Sequence, residues 1–258
     1  MTGYILALGM GGVLGLLGGG GSILSVPILV YIFKIPAALA TSYSLFVVGT
    51  TSAIAAIRYR KMLNLKIAAL FAIPSTIGVI LSRRYVLAPM PDQINISSWV
   101  FSKDDVVMLV FGILVVVISF FMLRAKDDGY EVKVKTPTLR AMGLIILEGL
   151  VIGGLTGFVG AGGGFMIVPA LTLLVGISMR EAISTSLLII AIKSLAGFFG
   201  DIHLAISINW WFLLGFTSMT IIGAFIGVKL NKNISTMVLR RAFAYLVLIV
   251  GIHILIFH

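Results

Sequence analysis

Two runs of glycine stand where the peptide backbone could bind a small anion. Residues 18–21 and 160–164 interrupt the apolar stretches 4–33 and 142–175, and a new helix is predicted after each run. The first N–H groups of a helix have no partner within it and lie at the positive end of its dipole. The alternative is that the glycines only allow close helix packing. The expected anion-binding residues here are Gly20, Gly21, Ser22, Gly162, Gly163 and Gly164.

Lys193 is the only lysine or arginine inside a predicted membrane span, so it could supply a positive charge. It lies about 17 Å along the apolar stretch that begins at residue 182, near the middle of a bilayer about 30 Å thick. A charge at that depth must face a cavity or a partner. Two interpretations stay open: a counter-charge for an anionic substrate, or an ion pair with Glu148. If Glu148 titrates and releases Lys193, proton movement would be coupled to transport.

Hydroxyl groups near the glycine runs are further candidates for contacts with substrate oxygens. Thr185 and Ser186 share a helix face with Lys193, by three- and four-residue steps through Ile189. Ser42 and Ser44 in the first half of the chain match Ser184 and Ser186 in the second half. A hydroxyl that bonds back to its own helix is the structural alternative. By contrast, Asp201 at a predicted helix end is expected to be solvated.

The composition excludes a soluble globular protein. Of 258 residues, 60% are hydrophobic and 11% are charged, and the mean hydropathy is +1.17, whereas about 25% of a soluble domain is charged. The net charge of +10 arises from bases in short loops, which points to membrane topology and not to nucleic acid. With no cysteine, three histidines and one acid inside an apolar stretch, no metal site, cofactor or catalytic constellation is expected.

The chain reads as two copies of one unit. Residues 12–45 align without a gap on residues 154–187, a shift of 142, and 13 of the 34 positions are identical, including five glycines and a proline. Weaker similarity at a shift of 145 pairs Asn64 with Asn209 and Gly78 with Gly223. We expect a first membrane repeat at 1–124, a cytoplasmic linker at 125–140 and a second membrane repeat at 141–258.

The distribution of lysine and arginine favours a re-entrant hairpin in each repeat over a single crossing. If the glycine-broken stretches cross the membrane, the 18 loop bases divide nine to nine; if they are hairpins, the division is 14 to 4, with Lys34, Arg83, Arg84 and Lys103 opposite the rest. Each repeat then has one glycine-tipped helical hairpin and three spans. The predicted fold is an all-α polytopic membrane protein with inverted repeats and both termini extracytoplasmic.

These motifs resemble the repeat signature of the sulfite exporter TauE/SafE family of permeases. The second copy reads Gly-Ala-Gly-Gly-Gly-Phe-Met-Ile-Val-Pro over 160–169, followed by Ala-Ile-Ser-Thr-Ser-Leu over 182–187. In the first copy Ser22 replaces a glycine and Tyr43 stands where the pattern has threonine. The resemblance implies a bacterial or archaeal inner-membrane permease for sulfite, sulfoacetate or a related organosulfonate.

The leading hypothesis is a secondary transporter that binds a small anion near the midplane, between the two glycine-run helix starts. Its expected partners are that anion and the lipid bilayer. A passive anion channel with the same site is the alternative, and saturable, proton-dependent flux would favour the carrier. An enzyme is not expected. Direction, coupling ion and oligomeric state are left open by the sequence.

Overall fold

The computed structural model describes residues 2–96, 99–124, 139–173, 175–202, 208–231, 234 and 236–257. It confirms the predicted all-α polytopic class. Most of the predicted linker, residues 125–138, lies outside the described residues. The helices are α1 Thr2–Leu17, α2 Gly20–Ile32, α3 Ala37–Arg58, α4 Leu65–Ser82, α5 Lys103–Arg124, α6 Leu139–Val159, α7 Gly164–Leu173, α8 Met179–Ile202, α9 Trp210–Asn231 and α10 Thr236–Phe257.

Among the described residues, five segments are long and apolar enough to cross a membrane: Ala37–Arg58, Leu65–Leu87, Met142–Val159, Met179–Asp201 and Trp210–Asn231. The helices α5 and α10, with 22 residues each, cover the two remaining predicted spans. α3 and α8 are the most buried of the five and form the centre of the molecule. Large apolar side chains on the outer helices, such as Ile73, Leu147 and Phe225, are exposed, as expected for surfaces that face lipid.

Two local features differ from a regular helical plan. α2 begins as a 3₁₀ helix and ends as a π-helix that starts directly after Pro27, and α4 continues into a π-helical turn, Arg83–Leu87. Proline removes a backbone donor, so the irregular hydrogen bonding in α2 has a local cause. A short antiparallel hairpin, β1 Gln93–Ile96 with β2 Trp99–Ser102, precedes α5. These strands were not predicted from the sequence.

The first glycine-broken stretch is a hairpin in the structure. A Cβ atom at Gly21 would lie 2.4 Å from the carbonyl oxygen of Met10, so α2 turns back along α1. At the open end, the ring of Tyr4 in α1 makes an edge contact with Phe33, with centroids 5.8 Å apart. The start of α1 and the end of α2 therefore lie at the same end of the molecule.

The second glycine-broken stretch, α6 and α7, also forms a hairpin. α7 has 10 residues, which rise only about 15 Å, and cannot cross a membrane. The start of α8 and the turn after α3 line one polar cavity of about 430 Å³, formed by Lys61, Met62, Leu63, Ser178, Arg180 and Glu181. Lys61 and Arg180 thus lie at the same end, as the hairpin topology requires and a simple crossing forbids.

Each hairpin packs its first helix against the other half of the chain. α1 lies along α9, and α6 lies along α4. A Cβ at Gly11 would be 1.9 Å from the carbonyl oxygen of Thr220, and one at Gly153 would be 2.1 Å from that of Ser75. Gly153 is 142 residues after Gly11 and Thr220 is 145 after Ser75, so the two contacts occupy matched positions. Small residues at such interfaces let helix backbones approach closely.

These contacts predict opposite effects for two glycines of the same helix. Gly153→Ala places a methyl group inside the contact with α4 and should cost about 1–3 kcal/mol through overpacking. Gly143→Ala meets no atom within 4 Å and should be neutral or stabilising, because alanine is the better helix former. Thermal unfolding of the two detergent-solubilised variants measures the difference. Equal melting temperatures would contradict the close packing of α6 on α4.

Candidate functional site

The two glycine turns meet in the interior of the protein. Gly18, Gly19, Gly162 and Gly163 adopt left-handed conformations, with φ angles of +64°, +96°, +63° and +69°, which glycine alone adopts readily. A Cβ built on Gly164 would lie 2.5 Å from Cα of Gly19, so the two backbones are in direct contact. The glycines of both turns that the sequence analysis selected, and Ser22, are buried.

Each turn rests on the central helix of the opposite half. A Cβ at Gly19 would meet the side chain of Ile190 in α8, and a Cβ at Gly162 would meet that of Val48 in α3. Val48 and Ile190 are 142 residues apart. Ser186 Oγ donates a hydrogen bond to the carbonyl oxygen of Gly18 at 2.6 Å. The turns are thus fixed by backbone contacts that any added side chain would disrupt.

The turns use part of the backbone hydrogen-bonding capacity that the sequence analysis assigned to an anion. The N–H of Ser22 donates to the carbonyl oxygen of Gly19 at 3.0 Å. The N–H groups of Met166 and Ile167 both donate to the carbonyl oxygen of Gly163, at 3.0 and 3.1 Å. Fewer N–H groups are therefore open to a ligand than a bare helix start would offer, and side chains must supply part of any site.

Lys193 lies at the second turn. Its side chain is 1% exposed, and Nζ donates to Thr156 Oγ1 at 2.6 Å. A Cβ built on Gly163 would lie 2.8 Å from Nζ, so the ammonium group is next to the glycine backbone. The ion pair with Glu148 that the sequence allowed is not formed. Glu148 Oε2 has no hydrogen-bond partner among the described residues, and Thr156 holds Lys193 instead.

The hydroxyls predicted on the two central helices are engaged in bonds within the protein. Ser42 Oγ donates to Asp201 Oδ2 at 2.6 Å, and Ser44 Oγ lies 2.5 Å from Ser25 Oγ. Thr185 Oγ1 accepts the backbone N–H of Asn64 at 3.1 Å. These bonds favour the structural alternative for Ser42, Ser44, Thr185 and Ser186, since each hydroxyl already has a partner.

Tyr43 makes a hydrogen bond that matches the one made by Thr185. Its hydroxyl oxygen accepts the backbone N–H of Asn209 at 2.7 Å, and Asn209 is the counterpart of Asn64 at a shift of 145. Each asparagine also caps the helix that follows, because its Oδ1 accepts an N–H three residues later. The exchange of threonine for tyrosine at position 43 therefore preserves a contact that docks α9 on α3.

Several buried hydroxyls have no hydrogen-bond partner among the described residues. They include Ser22 Oγ, Thr51 Oγ1, Ser52 Oγ and Ser194 Oγ. Thr51 and Ser52 align with Lys193 and Ser194 at a shift of 142. Both pairs lie about one helical turn beyond Val48 and Ile190, which contact the glycine turns. A buried hydroxyl without a partner costs free energy, so these groups mark a place where a ligand or water would be accommodated.

A buried ion pair was not predicted from the sequence. Arg83 and Asp201 are 4% and 3% exposed, and Arg83 Nε donates to Asp201 Oδ1 at 2.6 Å. Arg83 was taken as a loop base and Asp201 as solvated; both predictions are wrong. Both residues follow the last strongly apolar residues of their helices, which made them look like loop residues, and only the packing of α4 against α8 reveals their burial.

Comparison of the whole chain with known proteins identifies its family. Residues 4–254 match the family described as Sulfite exporter TauE/SafE. The chain is 29% identical to a probable membrane transporter protein of Xylella fastidiosa, over 97% of this chain and 94% of that protein. It is 27% identical to probable membrane transporter proteins of Bacillus subtilis, over 96% and 94%, and of Methanocaldococcus jannaschii, over 95% and 91%. These matches confirm the resemblance seen in the duplicated glycine motif, and the chain belongs to the sulfite exporter TauE/SafE family of membrane transporters.

Proposed function

We propose that this membrane transporter is a secondary-active carrier of a small sulfur-containing anion such as sulfite or an organosulfonate. The anion is held where the two glycine turns meet, with the Lys193 ammonium as its counter-charge. One observation carries the proposal: an ammonium group is buried next to the Gly163 backbone, and its hydrogen-bond partner is a neutral threonine hydroxyl.

The charge of Lys193 gives the site its preference. An ammonium group has three donors, and Thr156 accepts from Nζ through one of them. A buried charge is costly unless it is paired, and within the described residues no carboxylate pairs with Lys193. An anion that enters this region would supply both the missing charge and the missing acceptors, whereas a cation would be repelled.

The hydroxyl of Ser22 gives the site a second donor. It belongs to the first turn, and its Cβ lies 3.4 Å from the position of a Cβ built on Gly162 in the second turn. Ser22 Oγ is fully buried and has no partner among the described residues. A sulfite or sulfonate group presents three oxygens, which suits an ammonium, a hydroxyl and a backbone N–H. The choice of a sulfur anion follows the description of the family.

The proposed topology is a pair of inverted repeats, 1–124 and 141–258, in a bacterial or archaeal inner membrane. The matched contacts of α1 with α9 and of α6 with α4 support it, because they pair positions related by the internal repeat. Proton coupling through Glu148 is not part of the proposal, since the contact with Lys193 on which it depended is not formed.

Anion binding is expected to stabilise the purified protein, and Lys193 is expected to be required for it. Sulfite, sulfate, sulfoacetate and taurine are added in turn, and the melting temperature is measured. At least one sulfur anion should raise it, and Lys193→Met should abolish the increase. Arg84→Met, which removes an exposed base, is the matched control and should keep the increase. Stabilisation by cations alone would contradict the anion site.

Substitutions of two serines are expected to have separate effects, one on anion affinity and the other on stability. Ser22→Ala removes a hydroxyl without a partner, so stability should hold while anion affinity falls about three- to tenfold, the value of one hydrogen bond. Ser186→Ala breaks the bond to Gly18 and should lower the melting temperature. Titration of each variant with the best anion of the panel measures both effects. Unchanged affinity in Ser22→Ala would remove this residue from the site.

The topology predicts which positions an impermeant thiol reagent can reach. Because the chain has no cysteine, single cysteines at positions 130 and 258 report without background. Position 258 should label in intact cells, and position 130 only after permeabilisation, since the linker is predicted to be cytoplasmic. Labelling of position 130 from outside would overturn the topology.

A further inference from the structure

A buried polar cluster lies close to the second glycine turn and outside the proposed anion site. Arg83 and Asp201 form an ion pair, and Ser42 Oγ bridges them: it accepts from Arg83 Nη2 at 2.7 Å and donates to Asp201 Oδ2 at 2.6 Å. Arg83 Nη1 donates to the carbonyl oxygen of Gly157 at 2.8 Å. We refer to Ser42, Arg83, Gly157 and Asp201 as the Arg83 cluster.

The Arg83 cluster joins four helices from both repeats. Arg83 follows α4, Ser42 belongs to α3, Gly157 to α6 and Asp201 to α8. Gly157 is three residues before Gly160, where the second glycine turn begins. A Cβ at Gly160 would lie 2.2 Å from Cβ of Thr41, the neighbour of Ser42. The cluster therefore holds the second turn and its helix against α3 and α8, at the end where α4 and α8 finish.

The matched positions at the other end of the molecule are joined by a weaker contact. Tyr59, which is 142 residues before Asp201, donates through its hydroxyl to the carbonyl oxygen of Gly15 at 3.2 Å. Burial raises the pKa of Tyr59 to about 12, against an opposing effect of Arg180, so this bond is neutral. Val228, 145 residues after Arg83, carries no charge. The polar cavity of about 430 Å³, lined in part by Lys61 and Arg180, opens at this end.

This difference between the two matched ends determines which contacts must break for a ligand to leave at each end. A ligand that leaves the glycine turns toward the end where α4 and α8 finish needs α6 to separate from α3 and α8. That separation breaks the bond from Arg83 Nη1 to the carbonyl oxygen of Gly157 and leaves a charged donor of a buried ion pair without its acceptor. At the opposite end the corresponding separation, of α1 from α3 and α8, breaks two neutral hydrogen bonds, to the carbonyl oxygens of Gly15 and Gly18. Among the described residues, the buried ion pair therefore closes one end only.

We propose that the Arg83 cluster is a gate, which closes the path from the glycine turns at the end where α4 and α8 finish and opens when α6 leaves it. The proposal rests on the transport function set out above, and it assigns Arg83 and Asp201 a role in controlling access and not in holding the anion. A packed interior has discrete arrangements, so such a cluster can act as a two-state element.

The reactivity of a cysteine introduced at position 41 tests the gate without any transported substrate. Thr41 is fully buried beside Gly160, so Thr41→Cys in this cysteine-free chain should react slowly with a small charged thiol reagent. Adding Asp201→Asn keeps the shape of the side chain and removes its charge. The labelling rate should then rise about tenfold or more, as expected when an equilibrium shifts toward the open form. Substrate-induced thermal stabilisation should persist.

Two further variants keep the test decisive. Tyr59→Phe removes the neutral bond at the opposite end and should leave the labelling rate at position 41 unchanged. If Asp201→Asn does not fold, Ser42→Ala is used instead; it removes the bridging hydroxyl, leaves the ion pair in place and should raise the rate about threefold. An unchanged rate in Ser42→Ala and Asp201→Asn, or an equal rise in Tyr59→Phe, would overturn the gate.

The outcomes also separate the gate from the anion site. If no sulfur anion stabilises the parent protein, the proposed function fails, but the labelling rates still report on the gate. If anions stabilise the parent and labelling does not respond to Asp201→Asn or Ser42→Ala, the anion site stands and the gate is rejected.

Discussion

The contact between the two glycine turns is the constraint on which the rest of the structure depends. Backbone that is neither helix nor sheet is tolerated at membrane depth only when it is buried in protein or lines a cavity. Here the turns at Gly19 and Gly164 bury each other. For the turns to meet, each hairpin must enter the other half of the molecule. This requirement explains why α1 packs on α9 and α6 on α4, and why both interfaces need glycine.

The buried hydroxyls around this contact are of two kinds, those with a hydrogen-bond partner and those without one. Ser186, Tyr43 and Thr185 bond to backbone groups of the opposite half and hold the hairpins and following helices in place. Ser22, Ser52 and Ser194 have no partner within the described residues. A satisfied hydroxyl stabilises the fold, whereas an unsatisfied one lowers its stability. The persistence of unsatisfied groups near the turns, together with the Lys193 charge, is the physical basis of the proposed anion site.

The features that could be predicted from the sequence are those that depend on residue type and spacing. The glycine runs, the internal repeat and the excess of bases on one side predicted the hairpins, and the isolation of Lys193 within an apolar stretch predicted its burial. The hydrogen-bond and ion-pair partners of the buried polar side chains could not be predicted from the sequence. Lys193 bonds to Thr156 and not to Glu148, because two residues on different helices meet only if packing brings their faces together. Arg83 and Asp201 were misread for the same reason, since each looks like a loop residue until α4 and α8 are packed side by side.

An internal repeat gives both ends of a transporter the same framework, yet a carrier has to favour one conformation at a time. The repeat-matched positions show how a few residues can create that preference. Gly15 and Gly157 accept hydrogen bonds at corresponding places, but the donor is a neutral phenol in one case and a guanidinium paired with Asp201 in the other. A buried pair adds little net stability compared with apolar packing, but it is costly to take apart when one partner is lost. The buried ion pair would therefore make the closed state at its end specific, whereas the end where the polar cavity lies is closed by hydrogen bonds, without an ion pair among the described residues.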